Sequence, residues 1–239
     1  PLFCIHMHNG NVHRWRVLVK HMDADQPVYA IQPKGLDDRQ QPHTTIEEMA
    51  AHYISVIKEV QPSGPYNLIG LCFSGMVVFE MAAMLQANGE KVEFLAMVNN
   101  YAPPENATIY KVKSELNKFM KMEIGEKCNY AVEKNIKLSK KLLFKARKFI
   151  PGDSENTIKE VQIDETVESV GNDLRTIHSV ALLNYHPVHV YSGDLVIFRT
   201  ADPIEAFYNE TLGWDRLVTG KIETTIIEGC NNDTIITDE

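Results

Sequence analysis

Cys72 stands where the apolar run Tyr66-Asn67-Leu68-Ile69-Gly70-Leu71 gives way to Phe73-Ser74-Gly75-Met76-Val77-Val78-Phe79-Glu80-Met81-Ala82. Leu68 and Ile69 fit a buried strand, and the run from Met76 to Leu85 fits an apolar helix. The small residues Gly70, Ser74 and Gly75 permit a sharp reversal between the two. A cysteine at such a turn is presented above the sheet, and the positive end of the helix behind it favours its thiolate. Its chemistry would be that of a nucleophile. The bland alternative is a buried cysteine that only fills a strand-to-helix junction.

The elements that must position this sulfur alternate through the first hundred residues. Leu2 to His6 reads as a strand followed by a His8-Asn9-Gly10 loop, and Val28 to Ile31 as a second strand. Thr44-Thr45-Ile46-Glu47-Glu48 is a capping-box start to a helix that runs to about Val60, where Gln61-Pro62-Ser63-Gly64-Pro65 breaks it. The Cys72 unit follows, Gly89 ends its helix, and Val92 to Val98 is another buried strand. From about 103 to 190 the pattern turns helical without clear strands. Alternation then resumes with a strand over Asp194 to Arg199, a helix near Trp214 to Val218 and a strand from Ile222 to Ile227. This order predicts an α/β fold: a mostly parallel sheet flanked by helices in a single domain over 1–239, with residues 103–190 as an inserted helical lid above the strand C-termini.

Composition narrows the function classes. A chain of 239 residues that is 44% hydrophobic buries an ordinary core. Its net charge of −8 argues against nucleic-acid binding. No apolar run approaches the roughly 20 residues that span a bilayer, and the first ten residues hold histidines and no basic leader, so neither a membrane segment nor a signal peptide is expected and the location is read as cytoplasmic. The four cysteines, Cys4, Cys72, Cys128 and Cys230, show no metal or disulfide spacing, which fits a reducing compartment. Twelve of the 24 basic residues fall between Lys111 and Lys148, among apolar positions at helical spacing. That segment reads either as the solvated face of helices or as a docking surface for an acidic partner.

Beyond these patterns the chain resembles a family, the thioesterase domains that terminate non-ribosomal peptide synthetases and polyketide synthases, with the α/β-hydrolase fold. The resemblance rests on Pro1-Leu2-Phe3-Cys4-Ile5-His6, Val28 to Gln32, Thr45 to Ala50, Gln61 to Tyr66, the Cys72 elbow with Phe79-Glu80-Met81-Ala82, and Gly213-Trp214. It implies an acyl or peptidyl substrate delivered on the phosphopantetheine of a carrier protein, with no cofactor bound by the domain and no metal. It also implies an oxyanion hole from the Phe73 backbone N–H and a second N–H at Met7 or His8.

The departures from the family pattern lie at the site itself. Cysteine replaces the usual serine at position 72, and Ser74 replaces the second glycine of the elbow. Asn99 occupies the usual aspartate position. The usual histidine aligns with Asn232 when Thr234-Ile235-Ile236 is matched, or with Asn231 when Gly229 is. Asp202 lies where many related hydrolases keep their acid. The expectation is a thioesterase that captures an acyl chain on Cys72 and releases it slowly, by hydrolysis or cyclisation, because asparagines stand where the acid and base belong. Two alternatives remain open from the sequence: a catalytically inactive carrier-binding homologue, and a free-standing editing thioesterase.

Overall fold

A computed structural model describes residues 1–36, 40–103, 174–201, 208–231 and 234–236. Contacts divide the chain into two units, one formed by Pro1–Pro103 and Glu165–Glu239, the other by Pro104–Asp164. All of the second unit lies outside the described residues, as do most of the expected lid, the Lys111 to Lys148 segment and Cys128.

The described elements run β1 (Leu2–Ile5), α1 (Trp15–Lys20), β2 (Val28–Ile31), α2 (Ile46–Val60), β3 (Tyr66–Leu71), α3 (Phe73–Ala87), β4 (Val92–Val98), α4 (Leu174–Asn184), β5 (Leu195–Thr200), a short 3₁₀ turn (Trp214–Arg216) and β6 (Ile222–Ile227). Strands β2, β4 and β6 match their expected bounds residue for residue. The expected helix near Trp214 shrinks to one 3₁₀ turn, entered through Gly213 at φ 81°.

The six strands form one sheet in the order β2-β1-β3-β4-β5-β6, with every pair parallel. The chain steps from β1 to β2 in one direction, then crosses back to β3 and continues the other way. Because parallel crossovers are right-handed, reversing the step reverses the face that the connecting helix covers. Accordingly Trp15 of α1 packs with Leu2, Cys4, Ile69, Leu71, Ala96 and Val98. On the opposite face α2 and α3 pack with Phe3, Ile5, Leu68, Leu95 and Met97. Alternate residues of each central strand therefore feed two cores, which is why those strands read as continuous apolar runs. The point of reversal lies between β1 and β3, and the crevice outside the carboxyl ends of those strands is where such sheets bind ligands. Cys72 and the His6 to Gly10 loop both sit there.

Local chemistry sets the helices. Thr45 caps α2, its Oγ1 accepting from the Glu48 N–H at 3.1 Å, while the Glu48 carboxylate accepts from the Thr44 N–H at 2.9 Å. The buried face of α2 is Ile46, Met49, Ala50, Tyr53 and Ile57, a one-sided stripe. α3 is instead apolar on nearly all sides and buried along almost its whole length. Its one charged residue, Glu80, is 4% exposed and accepts a 2.6 Å hydrogen bond from the Tyr185 hydroxyl. No described helix is long and apolar enough to cross a membrane.

Tyr185→Phe removes the hydroxyl from a buried carboxyl and is expected to destabilise the protein by about 1–3 kcal/mol. A shift of the urea midpoint at unchanged slope measures it, and a midpoint equal to that of the parent protein contradicts it.

Candidate active site

β3 ends at Leu71 and α3 begins at Phe73, so a single residue makes the turn between them. Cys72 does so with φ 51° and ψ −114°, a conformation that costs a non-glycine residue about 1–3 kcal/mol and persists only when its surroundings over-determine it. Those surroundings are explicit. The Cys72 N–H donates to the Val98 carbonyl at 2.8 Å, fixing the turn to the end of β4. The Cys72 carbonyl accepts from the Gly75 N–H at 3.0 Å and from Asn100 Nδ2 at 2.5 Å.

The small residues are required by close approach. A Cβ at Gly70 would collide with the Ser74 carbonyl, and one at Gly75 with the Asn100 side chain. Ser74, where the family pattern has glycine, is fully buried, and its Oγ accepts from the Leu71 N–H at 2.9 Å and lies 3.1 Å from the Leu71 carbonyl. The hydroxyl thus ties the turn instead of straining it.

Of the three described cysteines only Cys72 is exposed. Cys4 is buried, and that burial pushes its thiol up to about 12. Solvent reaches Cys72, yet enough protein surrounds the sulfur that burial raises its thiol as well. A hydrogen bond from the Phe73 backbone N–H and the nearby Arg14 guanidinium act in the opposite direction and are outweighed. The helix terminus acts in the expected direction, toward the thiolate, without setting the net shift. The helix contributes through the Phe73 N–H, but desolvation is the larger influence.

Asn99 also lies at the strand C-termini, directly after β4, and it too has a positive φ, 45°. Its N–H donates to the Phe198 carbonyl, and its Oδ1 accepts from the Thr200 N–H, each at 2.8 Å. The side-chain oxygen is therefore committed to joining the ends of β4 and β5. Asn232 and Asp202 lie outside the described residues. Asn231 exchanges hydrogen bonds with Thr234, donating its N–H to Thr234 Oγ1 at 2.9 Å and accepting from the Thr234 N–H at 3.1 Å.

In the first loop the Met7 N–H donates to the Asn11 carbonyl at 2.7 Å. An oxyanion could use that N–H only if the bond broke. Around the same loop the structure gathers residues that the sequence did not single out. His178 of α4 stacks on Phe73, with ring centroids 4.7 Å apart and planes 15° apart, and on His6 at 5.0 Å. His6 is fully buried between the Met7 carbonyl and the Tyr53 hydroxyl, each at 2.7 Å, and burial lowers it to about 3, so it stays neutral at physiological pH.

A family model described as Thioesterase domain matches residues 1–236. The chain belongs to this family. Among curated relatives, a dimodular nonribosomal peptide synthase of Bacillus subtilis is 29% identical over 95% of the chain, and malpibaldin synthetase of Mortierella alpina is 44% identical over 43% of it. Both are much longer proteins, and the match covers 9% and 2% of their lengths. The NocB thioesterase domain, solved as a covalent complex with a fluorophosphonate nocardicin G analog, superposes with a TM-score of 0.61 at 20% identity, covering 99% of this chain and 87% of that one. The surfactin-cyclising thioesterase domain SrfTE gives 0.56 at 15% identity, covering 99% and 84%. These likenesses establish the thioesterase-type α/β fold, and the turn at Cys72 is this thioesterase domain's candidate nucleophile elbow.

A raised thiol leaves less thiolate at neutral pH than an ordinary cysteine has. The rate of Cys72 alkylation by iodoacetamide is therefore expected to keep rising with pH through pH 9. A plateau reached below pH 8 contradicts the dominance of desolvation.

Proposed function

We propose that this thioesterase domain accepts an acyl or peptidyl chain from a carrier protein's phosphopantetheine thioester onto Cys72 and releases it slowly. The observation that carries the reading is the over-determined positive-φ turn that holds an exposed cysteine at the N-terminus of α3, with the Phe73 N–H at its sulfur.

In the capture step the Cys72 thiol first loses its proton to solvent or buffer. Its sulfur attacks the thioester carbonyl carbon, a new carbon–sulfur bond forms and the bond to pantetheine sulfur breaks. The departing pantetheine thiolate takes up a proton. One thioester replaces another, so the exchange is close to isoenergetic and makes little demand on a general base beyond removing the thiol proton. The negative charge that develops on the carbonyl oxygen falls to the Phe73 N–H and to a second donor in the His6 to Gly10 loop. If Met7 supplies that second donor, its N–H must first leave the Asn11 carbonyl, 2.7 Å away.

Release makes a different demand. Water attacks a thioester poorly without a base, and an asparagine amide is neither basic nor able to balance an imidazolium. With Asn99 bonded to Thr200 and Asn232 in the histidine's sequence position, the acyl-Cys72 state is expected to persist. Losing a triad base costs on the order of a thousandfold or more in turnover. A thioester acyl-enzyme is activated toward amines, so an amine or hydroxyl within the bound chain is the favoured acceptor and cyclisation the favoured outcome.

Incubation with an acyl-pantetheine thioester is expected to add one acyl mass to the protein and to release one pantetheine thiol, and Cys72→Ala is expected to abolish the addition. An intact mass that stays unmodified overturns the capture step and leaves a carrier-binding homologue as the better reading.

A further inference from the structure

We propose that His178, together with its neighbour Ser179, is a positioning residue that fixes the oxyanion hole by clamping His8 to α4. The inference rests on the acyl-capture reading above and concerns residues that the elbow itself does not contain.

The two donors of that hole come from segments far apart in sequence, the Phe73 N–H at the start of α3 and an N–H of the loop after β1. Their spacing must be held to a fraction of an ångström for both to meet one oxygen. Within the loop, backbone bonds from the Gly10 N–H to the Met7 carbonyl, 2.8 Å, and from the Met7 N–H to the Asn11 carbonyl, 2.7 Å, set its shape but not its distance from α3. The His8 and His6 rings meet the Phe73 ring directly, with centroids 5.4 and 5.9 Å apart, and α4 adds hydrogen bonds to this packing. His178 Nδ1 lies 2.7 Å from the His8 carbonyl, which can only accept, so Nδ1 carries the proton. The same imidazole is stacked on Phe73, the residue whose N–H is the other donor. A single ring, 1% exposed, thus meets the Phe73 side chain and the His8 carbonyl, one residue from each segment that the capture reading assigns to the hole.

Ser179 adds a second attachment to His8. Its hydroxyl donates to the Arg175 carbonyl at 2.8 Å and so accepts from His8 Nε2, 3.0 Å away. His8 is held by its carbonyl and by its ring, both from one turn of α4. His6 completes the stack from beneath, its neutral ring 5.0 Å from His178. The Leu174 side chain lies over Gly10 at the far end of the loop, where a Cβ would come within 3.2 Å of it.

The arrangement makes α4 a strap across the loop. Loss of the His178 donor would let the loop drift relative to Phe73 without disturbing the Cys72 turn, whose own bonds run to Val98, Gly75 and Asn100.

The test uses two variants and two reactions. His178→Phe keeps an aromatic ring against Phe73 and removes the donor, whereas His178→Asn can place an amide N–H where Nδ1 stood. Acylation of Cys72 by acyl-pantetheine needs the oxyanion hole, and alkylation by iodoacetamide does not. For His178→Phe the expected result is a fall of about tenfold to a hundredfold in the saturating acylation rate, with the half-saturating thioester concentration and the alkylation rate within twofold of the parent protein. His178→Asn is expected to recover most of the acylation rate. Unchanged acylation in His178→Phe overturns the proposal, and so does a parallel loss of acylation and alkylation, which would mark His178 as structural only. If the parent protein itself is not acylated, the capture reading fails first and the positioning role falls with it, an outcome distinct from a defect confined to the variant.

Discussion

The hydrogen bond from the Cys72 N–H to the Val98 carbonyl is the constraint on which the rest of the site depends. It forces a non-glycine residue to make the whole turn from β3 to α3 at positive φ, beside the end of β4. Every neighbour then follows. Gly70 and Gly75 must lack a Cβ because Ser74 and Asn100 approach so closely, and Ser74 must hide its hydroxyl in the turn. Asn100 closes the arrangement from the β4 side. Its amide holds the Cys72 carbonyl while its own carbonyl accepts from Trp214 Nε1 at 3.0 Å, which ties the turn to the segment before β6. The constraint at residue 72 thus runs through strands β3 and β4 to a tryptophan more than a hundred residues away, and the product is a backbone turn held from several sides.

That placement has an electrostatic cost. Surrounding the sulfur with protein raises its thiol, even though a helix terminus and Arg14 lie close. An enzyme that must hydrolyse quickly offsets such a cost with a base. A site that only exchanges one thioester for another has less need of one, and the proposed capture on Cys72 is that narrower task. The Asn99 oxygen serves as a backbone staple between β4 and β5.

Much of this architecture is legible in the amino-acid chain. The elbow, the capping box at Thr45 and the strands at Val92–Val98 and Ile222–Ile227 are readable because their causes are local: apolar period, side-chain caps and small residues at a turn. The family pattern places Asn99 at the end of β4, and the structure adds its bond to Thr200. The direction of the Cys72 shift is not legible, because desolvation depends on what the loops bring around the sulfur. Nor is the engagement of Met7 by Asn11, a matter of loop geometry. The packing of His178 and Ser179 on His8 joins residues about 170 positions apart, and no spacing in the sequence announces it. Asn232 remains placed by sequence alone.

Capture on Cys72 is proposed to be easier than release, and the fate of the isolated acyl-enzyme measures that difference directly. Protein acylated at Cys72 and freed of excess thioester would be followed by intact mass in plain buffer and in buffer containing millimolar pantetheine thiol. The account predicts that the acyl group returns to the thiol on the order of a thousandfold faster than it is lost to water. Loss to water at a rate comparable with thiol exchange would contradict it, and would show that this domain commands a general base that its asparagines cannot provide.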